Sequence, residues 1–262
     1  MPSDPRVWIA TLRNSHDRLD GLVRPLTPEQ IRAQSYCSEW SIAQVLSHLG
    51  SGAEISLLML PGALGEGEEA SRDSFQAIWD VWNAKNPDQQ AADALAADDR
   101  QVKALEQLTD DQLDRISLPF FGMDLDAVGL VRLRLGEHAV HTWDIAVRLD
   151  PAATVSADAV GLLIDNVPTF LAPRLGQAPA EPFAVRIRTT GPERDYLLAT
   201  ADTVVMTDWP QDGTDTPVPE VSMPAEALLR LAYGRLDPAT TPASVTGDPT
   251  DLDQLRAIFP GF

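Results

Sequence analysis

Residues 126–150 carry four donor-bearing side chains at spacings that suit a metal ion: Glu137, His138, His141 and Asp144. A glutamate and a histidine four positions apart stand one helical turn apart, so both side chains can converge on one point. At ~100° per residue, Glu137, His141 and Asp144 fall within roughly 60° of one another. Leu130, Leu133, Val140 and Val147 lie on the same side. Ionisable groups at the centre of an apolar face are unfavourable unless something pairs with them, and a cation would do so. Neutral imidazole nitrogens and a carboxylate oxygen suit zinc or a similar divalent metal. A third ligand has to come from elsewhere. Of the four histidines, His16, His48, His138 and His141, only His48 sits on a second strongly apolar helix. Three protein ligands would leave one coordination position open, as in catalytic rather than structural zinc sites. The spacing also admits His138 and His141 as the ligand pair, or a plain surface contact between Glu137 and His141.

The elements that must position these groups are helical through the first two thirds of the chain. Residues 41–60 form a strong helix with His48 in its middle, beside Val45 and Leu49, and Pro61-Gly62 is expected to stop it. Gly50, Ser51 and Gly52 in mid-helix suggest close packing or space for a ligand. Residues 4–22, 71–85 and 88–108 have helical periodicity, the second with Phe75, Ile78, Trp79 and Trp82 on one stripe. Thr27-Pro28-Glu29-Gln30 has the form of a capping box opening a short helix, and residues 109–112 are a similar start. Pro119-Phe120-Phe121-Gly122 reads as a loop, and residues 156–175 as a helix bent around Pro168 and Pro173. After residues 176–179 the pattern alternates apolar and polar. Strands are expected over 183–189, 196–200, 203–207 and 218–223, then a helix over 224–233, a short strand over 243–246 and a terminal helix over 248–259. The fold class is therefore α followed by α+β: a helical bundle over 1–177 and a small α+β domain over 178–262.

With 262 residues, 44% of them apolar and 23% charged, the composition is that of an ordinary globular protein. The formal charge of −19 argues against nucleic acid and against an anionic membrane surface as partners. The start of the chain lacks a basic region followed by an apolar run, and no apolar stretch approaches the ~18 residues a membrane helix needs. A single cysteine, Cys37, excludes an internal disulfide and a cysteine-rich zinc cluster. A cytoplasmic protein, monomeric or weakly dimeric, is expected.

Trp40-Ser41-Ile42-Ala43-Gln44-Val45-Leu46-Ser47-His48-Leu49 resembles the W-x-x-x-x-x-L-x-H-L segment of the metal-binding DinB-like four-helix bundles. Glu137-His138-Ala139-Val140-His141-Thr142-Trp143-Asp144 resembles the E-x-x-x-H-x-x-D helix of one branch of them, the mycothiol-dependent maleylpyruvate isomerase family. Leu228 to Leu236, with its Gly234-Arg235-Leu236 turn, and the closing Phe259-Pro260-Gly261-Phe262 look like that family's small second domain, which is similar to sterol-carrier-type folds. The resemblance implies His48, Glu137 and His141 as metal ligands and His138 as a neighbour. Asp144 would orient a ligand, and Arg235 matches an arginine that reaches the active site and binds the anionic end of substrate or cofactor. It implies zinc or another divalent metal, and mycothiol as the thiol cosubstrate. The reaction would be S-transfer or isomerisation of a small electrophile, with a thiolate at the open position as nucleophile. The alternatives are a hydrolase using metal-activated water and a non-catalytic ligand-binding protein with an apolar cavity in its small domain. Cys37 invites a nucleophile reading, but nothing near it in sequence would lower its pKa, so it is read as inert. Trp40 is read as a packing anchor.

Overall fold

The computed structural model describes residues 3–120, 122–212 and 217–261. The chain packs as two compact units, one ending at Ala153 and the other beginning at Thr154.

In the first unit, long helices α1 (Pro5–Val23), α3 (Ile42–Ala63), α5 (Pro87–Glu106) and α7 (Ala127–Leu149) form the bundle. Short helices α2 (Pro28–Arg32), α4 (Arg72–Ala84) and α6 (Asp110–Arg115) lie in the connections. α1 and α3 each pack against both α5 and α7. Helix starts are fixed by their own side chains: Thr27, Ser41, Asn86 and Thr109 each accept from a backbone N–H three residues on, and the glutamine there returns the bond. Those reciprocal bonds satisfy donors that a helix start would otherwise leave orphaned. The Ser41 box sets where α3 begins, and hence the turn on which His48 falls.

Pro61 does not stop α3, which continues to Ala63. In a last turn few i→i−4 bonds remain to be lost, and the Leu64 and Glu66 N–H groups bond the Leu60 and Pro61 carbonyls. The expected loop before α7 is instead a hairpin, β1 (Leu118–Phe120) paired antiparallel with β2 (Met123–Leu125). Gly122, at φ +77°, supplies the left-handed residue that so tight a turn needs; Phe121 lies outside the described residues. On α4 the aromatic stripe is less buried than its periodicity suggests: Trp82 is buried, whereas Trp79 is 40% exposed.

Trp82 explains one of the mid-helix glycines. A Cβ on Gly50 would come within 2.2 Å of the Trp82 ring. That ring is buried, and its Nε1–H is tied to Glu54 at 2.9 Å, so it has no room to retreat. Gly50→Ala is expected to destabilise the bundle by about 1–3 kcal/mol through overpacking, despite an intrinsic helix preference for alanine of about 1 kcal/mol. A lowered urea midpoint at constant m-value would establish it, and an unchanged or raised midpoint would refute it.

The second unit is built on a four-stranded sheet in the order β5-β4-β3-β6. Its strands are β3 (Ala184–Thr190), β4 (Arg194–Thr200), β5 (Val204–Asp208) and β6 (Glu220–Pro224). β3 pairs antiparallel with β4 and parallel with β6, and β4 pairs antiparallel with β5. Val185, Ile187, Tyr196, Leu198, Met206, Val221 and Met223 alternate onto the buried face. Before the sheet come α8 (Ala157–Leu163), a π-helical turn (Val167–Leu171) and α9 (Ala172–Leu175); after it come α10 (Ala225–Ala232), buried throughout, and α11 (Pro249–Ile258). The helix expected over 156–175 is thus broken by a π turn that has Pro168 near its start. The strand expected over 243–246 is a single bridge between Ser222 and Thr246.

The sequence drew its boundary at 177/178, where strand periodicity begins. The packing boundary lies earlier, because α8 packs against α10, and the π turn and α9 against β5. No helix among the described residues is long and apolar enough to cross a membrane.

Candidate metal centre

α3 contributes His48, and α7 contributes Glu137 and His141 one turn apart. His48 Nε2 lies 3.1 Å from Glu137 Oε2, and His141 Nε2 lies 3.6 Å from the same oxygen. One ligand atom from each of the three lies within 4.8 Å of the others. The His48 and His141 rings meet edge to face at 4.7 Å. His141 is buried, but the His48 and Glu137 side chains are 37% and 39% exposed, so the cluster has a closed floor and an open side. Trp40 walls it, with its ring 5.2 Å from that of His48 and 6.0 Å from that of His141. It also packs on the bundle core, as a packing anchor should.

His141 is held from behind. Its Nδ1 lies 2.8 Å from Asp144 Oδ2, one turn on, and Asp144 is fully buried. The Cys37 thiol donates to the same carboxylate oxygen at 3.1 Å. An imidazole whose far nitrogen is fixed by a carboxylate has its tautomer and ring angle set for binding at the other nitrogen. The electrostatics follow from these contacts. Burial would raise the Glu137 carboxyl, yet the hydrogen bonds from His141 and His48 outweigh it and hold it well below the usual carboxylate range. Burial pushes the His48 imidazole down, against the opposing pull of Glu137. Burial opposes a proton on His141 too, but its bonds to Asp144, Cys37 and Glu137 prevail and raise it well above its ordinary value.

This donor set fits a divalent metal. Two imidazoles and a carboxylate converge from two packed helices. Ligands on a tetrahedral ion at ~2.1 Å stand roughly 3.4 Å apart, close to the 3.1 and 3.6 Å separations of Glu137 from the two histidines.

His138 faces the other way. It is fully buried, with Nε2 2.8 Å from Asp98 Oδ2 and Nδ1 2.8 Å from the Ser15 hydroxyl. His16 Nδ1 reaches the same Asp98 oxygen at 2.7 Å. Arg134 donates to the other oxygen at 2.8 Å and to the Leu49 carbonyl at 2.9 Å, which links this network to the helix carrying His48. Gly52 leaves room for that guanidinium: a Cβ there would stand 3.0 Å from Arg134 Nη1. Burial would raise the Asp98 carboxyl, but His138, His16 and Arg134 hold it well below the carboxylate range. Burial pushes the His138 imidazole down, against the opposing pull of Asp98. Sequence reasoning missed Asp98, Arg134 and His16. The signal for Asp98 was present, since it shares a helical stripe with Ala91, Ala94, Gln101 and Leu105 and is therefore an acid on a buried face.

In the second unit Arg235 is buried, and its Nη1 donates to the Tyr233 carbonyl at 2.5 Å. Gly234, at φ +71°, turns the chain ahead of it and lies against Gly261, so a Cβ there would clash at 2.4 Å. That contact accounts for pairing the Gly234-Arg235-Leu236 turn with the closing Phe259-Pro260-Gly261 segment; Phe262 lies outside the described residues. Sequence reasoning also missed Arg230, buried in an ion pair with Glu226 and donating to the Arg235 and Thr240 carbonyls. Its bond to the Arg235 carbonyl braces the turn that contains Arg235.

Comparison with known proteins gives two family models in series. Residues 12–146 match the mycothiol maleylpyruvate isomerase N-terminal domain, and residues 162–254 match the MDMPI C-terminal domain. The fold is similar to a crystal structure of the mycothiol-dependent maleylpyruvate isomerase, at 14% identity and a TM-score of 0.68 over 94% of this chain and 93% of that one. A structure of a histidine-to-alanine mutant of such an isomerase gives 15% identity and a TM-score of 0.65 over 88% and 90%. At these identities the structural likeness speaks to fold. No curated protein matches the chain.

Proposed function

The chain belongs to the mycothiol maleylpyruvate isomerase family, and from that premise we propose a mycothiol-dependent isomerase or S-transferase acting on a small electrophile at the cluster of His48, Glu137 and His141. The observation that carries this reading is the convergence of three metal-ligating atoms within 4.8 Å on the partly exposed side of the bundle. Those three residues would hold a divalent metal, zinc by the character of the donors. Such an ion, when bound, supplies positive charge that favours the thiolate form of a thiol at its open position.

The protein's own groups do the rest. Glu137, already ionised, offers an anionic oxygen between two imidazoles, and His48 offers a neutral nitrogen. Asp144 keeps the Nδ1–H of His141 turned away, so that Nε2 faces the cluster. The Trp40 ring lies beside both imidazoles and bounds one flank of the cluster. Arg235 is assigned the anionic end of substrate or cofactor, and the Arg230 bond to its carbonyl holds its turn in place. By the name of the family, the substrate is a cis-configured unsaturated diacid of the maleylpyruvate kind. Reversible addition of the thiol to its double bond would permit rotation to the trans form.

Two results bear on these roles. Asp144→Asn is expected to weaken metal affinity 10–100-fold, the range for loss of a carboxylate that orients a histidine ligand, as read by competition with a chromophoric chelator; unchanged affinity would remove Asp144 from the site. Arg235→Met is expected to raise KM for an anionic substrate by 10-fold or more while leaving metal content intact, since one charge-assisted hydrogen bond contributes about 1.5–3 kcal/mol. An unchanged KM would return Arg235 to a purely structural role. Turnover that proceeds equally without thiol would assign the site to hydrolysis by activated water.

A further inference from the structure

The imidazole of His141 has two faces, and the structure gives each a set of donors. Nε2 looks toward Glu137 and His48. Nδ1 looks toward Asp144, and with the Cys37 sulfur these make a second group of three ligating atoms within 4.8 Å of one another. Cys37 does not stand there by the accident of a loose loop. The Gln34–Ser41 bridge closes the segment that carries it, and the Ser35 hydroxyl and the Gln34 amide tie that segment to the Trp40 carbonyl. The loop is docked on α7 by the Tyr36 N–H, which donates to the Asp144 carbonyl at 2.9 Å, and by the Tyr36 ring, 4.9 Å from that of Trp143. The thiol is thereby aimed at Asp144 Oδ2, 3.1 Å away, while remaining partly accessible to solvent.

We propose that Cys37, Asp144 and Nδ1 of His141 form a second metal site, selective for thiophilic divalent ions such as zinc, cobalt and cadmium. Thiolate, imidazole and carboxylate together are a donor set for such ions and a poor one for magnesium or calcium. Each ion bound there displaces two protons to solvent, that of the Cys37 thiol and that shared by His141 Nδ1 and Asp144. The two sites share His141, and the second takes Asp144 away from its orienting bond. Excess thiophilic metal is therefore inhibitory, and Cys37 sets the threshold. The metal site itself needs only the geometry around Nδ1, whereas its inhibitory effect rests on the first cluster being the catalytic one.

Cobalt(II) titration of the full-length, metal-free protein in thiol-free buffer tests it, because a thiolate ligand adds a near-ultraviolet charge-transfer absorption that imidazole and carboxylate do not. In the wild type the first equivalent is expected to give visible d–d bands alone, and the charge-transfer absorption to grow with the second. Cys37→Ser is expected to keep the d–d bands, which also certify its fold, and to lose the charge-transfer absorption entirely. Charge-transfer absorption from the first equivalent onward, again absent in Cys37→Ser, would support the thiolate site while overturning His48 and Glu137 as the primary ligands. A wild type that develops d–d bands but no charge-transfer absorption at saturating cobalt overturns the proposal, as does absorption that persists in Cys37→Ser. In neither case is the first site touched.

Discussion

His48→Ala is expected to lose tightly bound divalent metal and, with it, all measurable turnover. The loss of affinity should exceed the 10–100-fold that removal of an outer hydrogen-bond partner costs, because a ligand itself is gone from a site with only three. Glu137→Gln should behave alike, since the carboxylate is the one anionic ligand between two imidazoles. His48→Ala should leave the fold intact, its side chain being more than a third exposed, whereas Glu137→Gln also removes a carboxylate whose ionised form folding stabilises. His138→Gln makes the informative control. It sits between the proposed ligands in sequence but faces Asp98, so it should keep its metal while losing stability. Elemental analysis and chelator competition on the three variants would settle the pattern, and a His48→Ala protein that retained metal at wild-type stoichiometry would end the assignment.

Asp98→Ala is expected to be the most damaging single change to stability, at about 3–5 kcal/mol, because removing one partner of a buried ion pair leaves the other charge uncompensated. The stranded group is Arg134, buried, with the His16 and His138 rings also deprived of their shared acceptor. The sign of the pH effect follows from the depressed carboxyl. A group whose pKa falls on folding contributes stability that is complete above its unfolded value, near 4, and is lost as pH drops toward the folded value. The bundle should therefore weaken steeply below about pH 4, and Asp98→Asn should flatten that acid limb while lowering stability at neutral pH. Chemical denaturation from pH 3 to 7 would read both effects. A wild-type and an Asp98→Asn curve of equal slope in acid would contradict the role given to this network.

Much of the site could be read from the chain because its logic is local. Glu137, His141 and Asp144 lie within one stretch whose periodicity alone puts them on one face, and the apolar helix expected over 41–60 carries His48 in its middle. The family motifs then set His138 aside as a competing ligand. What could not be read depends on contacts between distant segments. Asp98 gathers partners from α1 and α7, at separations of 82, 40 and 36 residues. Cys37 looked inert because its partners, Asp144 and His141, lie over a hundred residues away. The boundary at 177/178 followed periodicity, which reports secondary structure, whereas α8 joins the second unit through packing that no periodicity encodes. Pro61 and the hairpin at Gly122 were misread for the opposite reason: a strong local rule was applied where the end of a helix or a single left-handed residue relaxes it.

The most direct test is to follow cis–trans isomerisation of maleylpyruvate by the zinc-loaded protein with and without mycothiol. Turnover that requires the thiol and disappears in His48→Ala is the predicted result. Turnover at an equal rate without any thiol, or at a wild-type rate in His48→Ala, would contradict it.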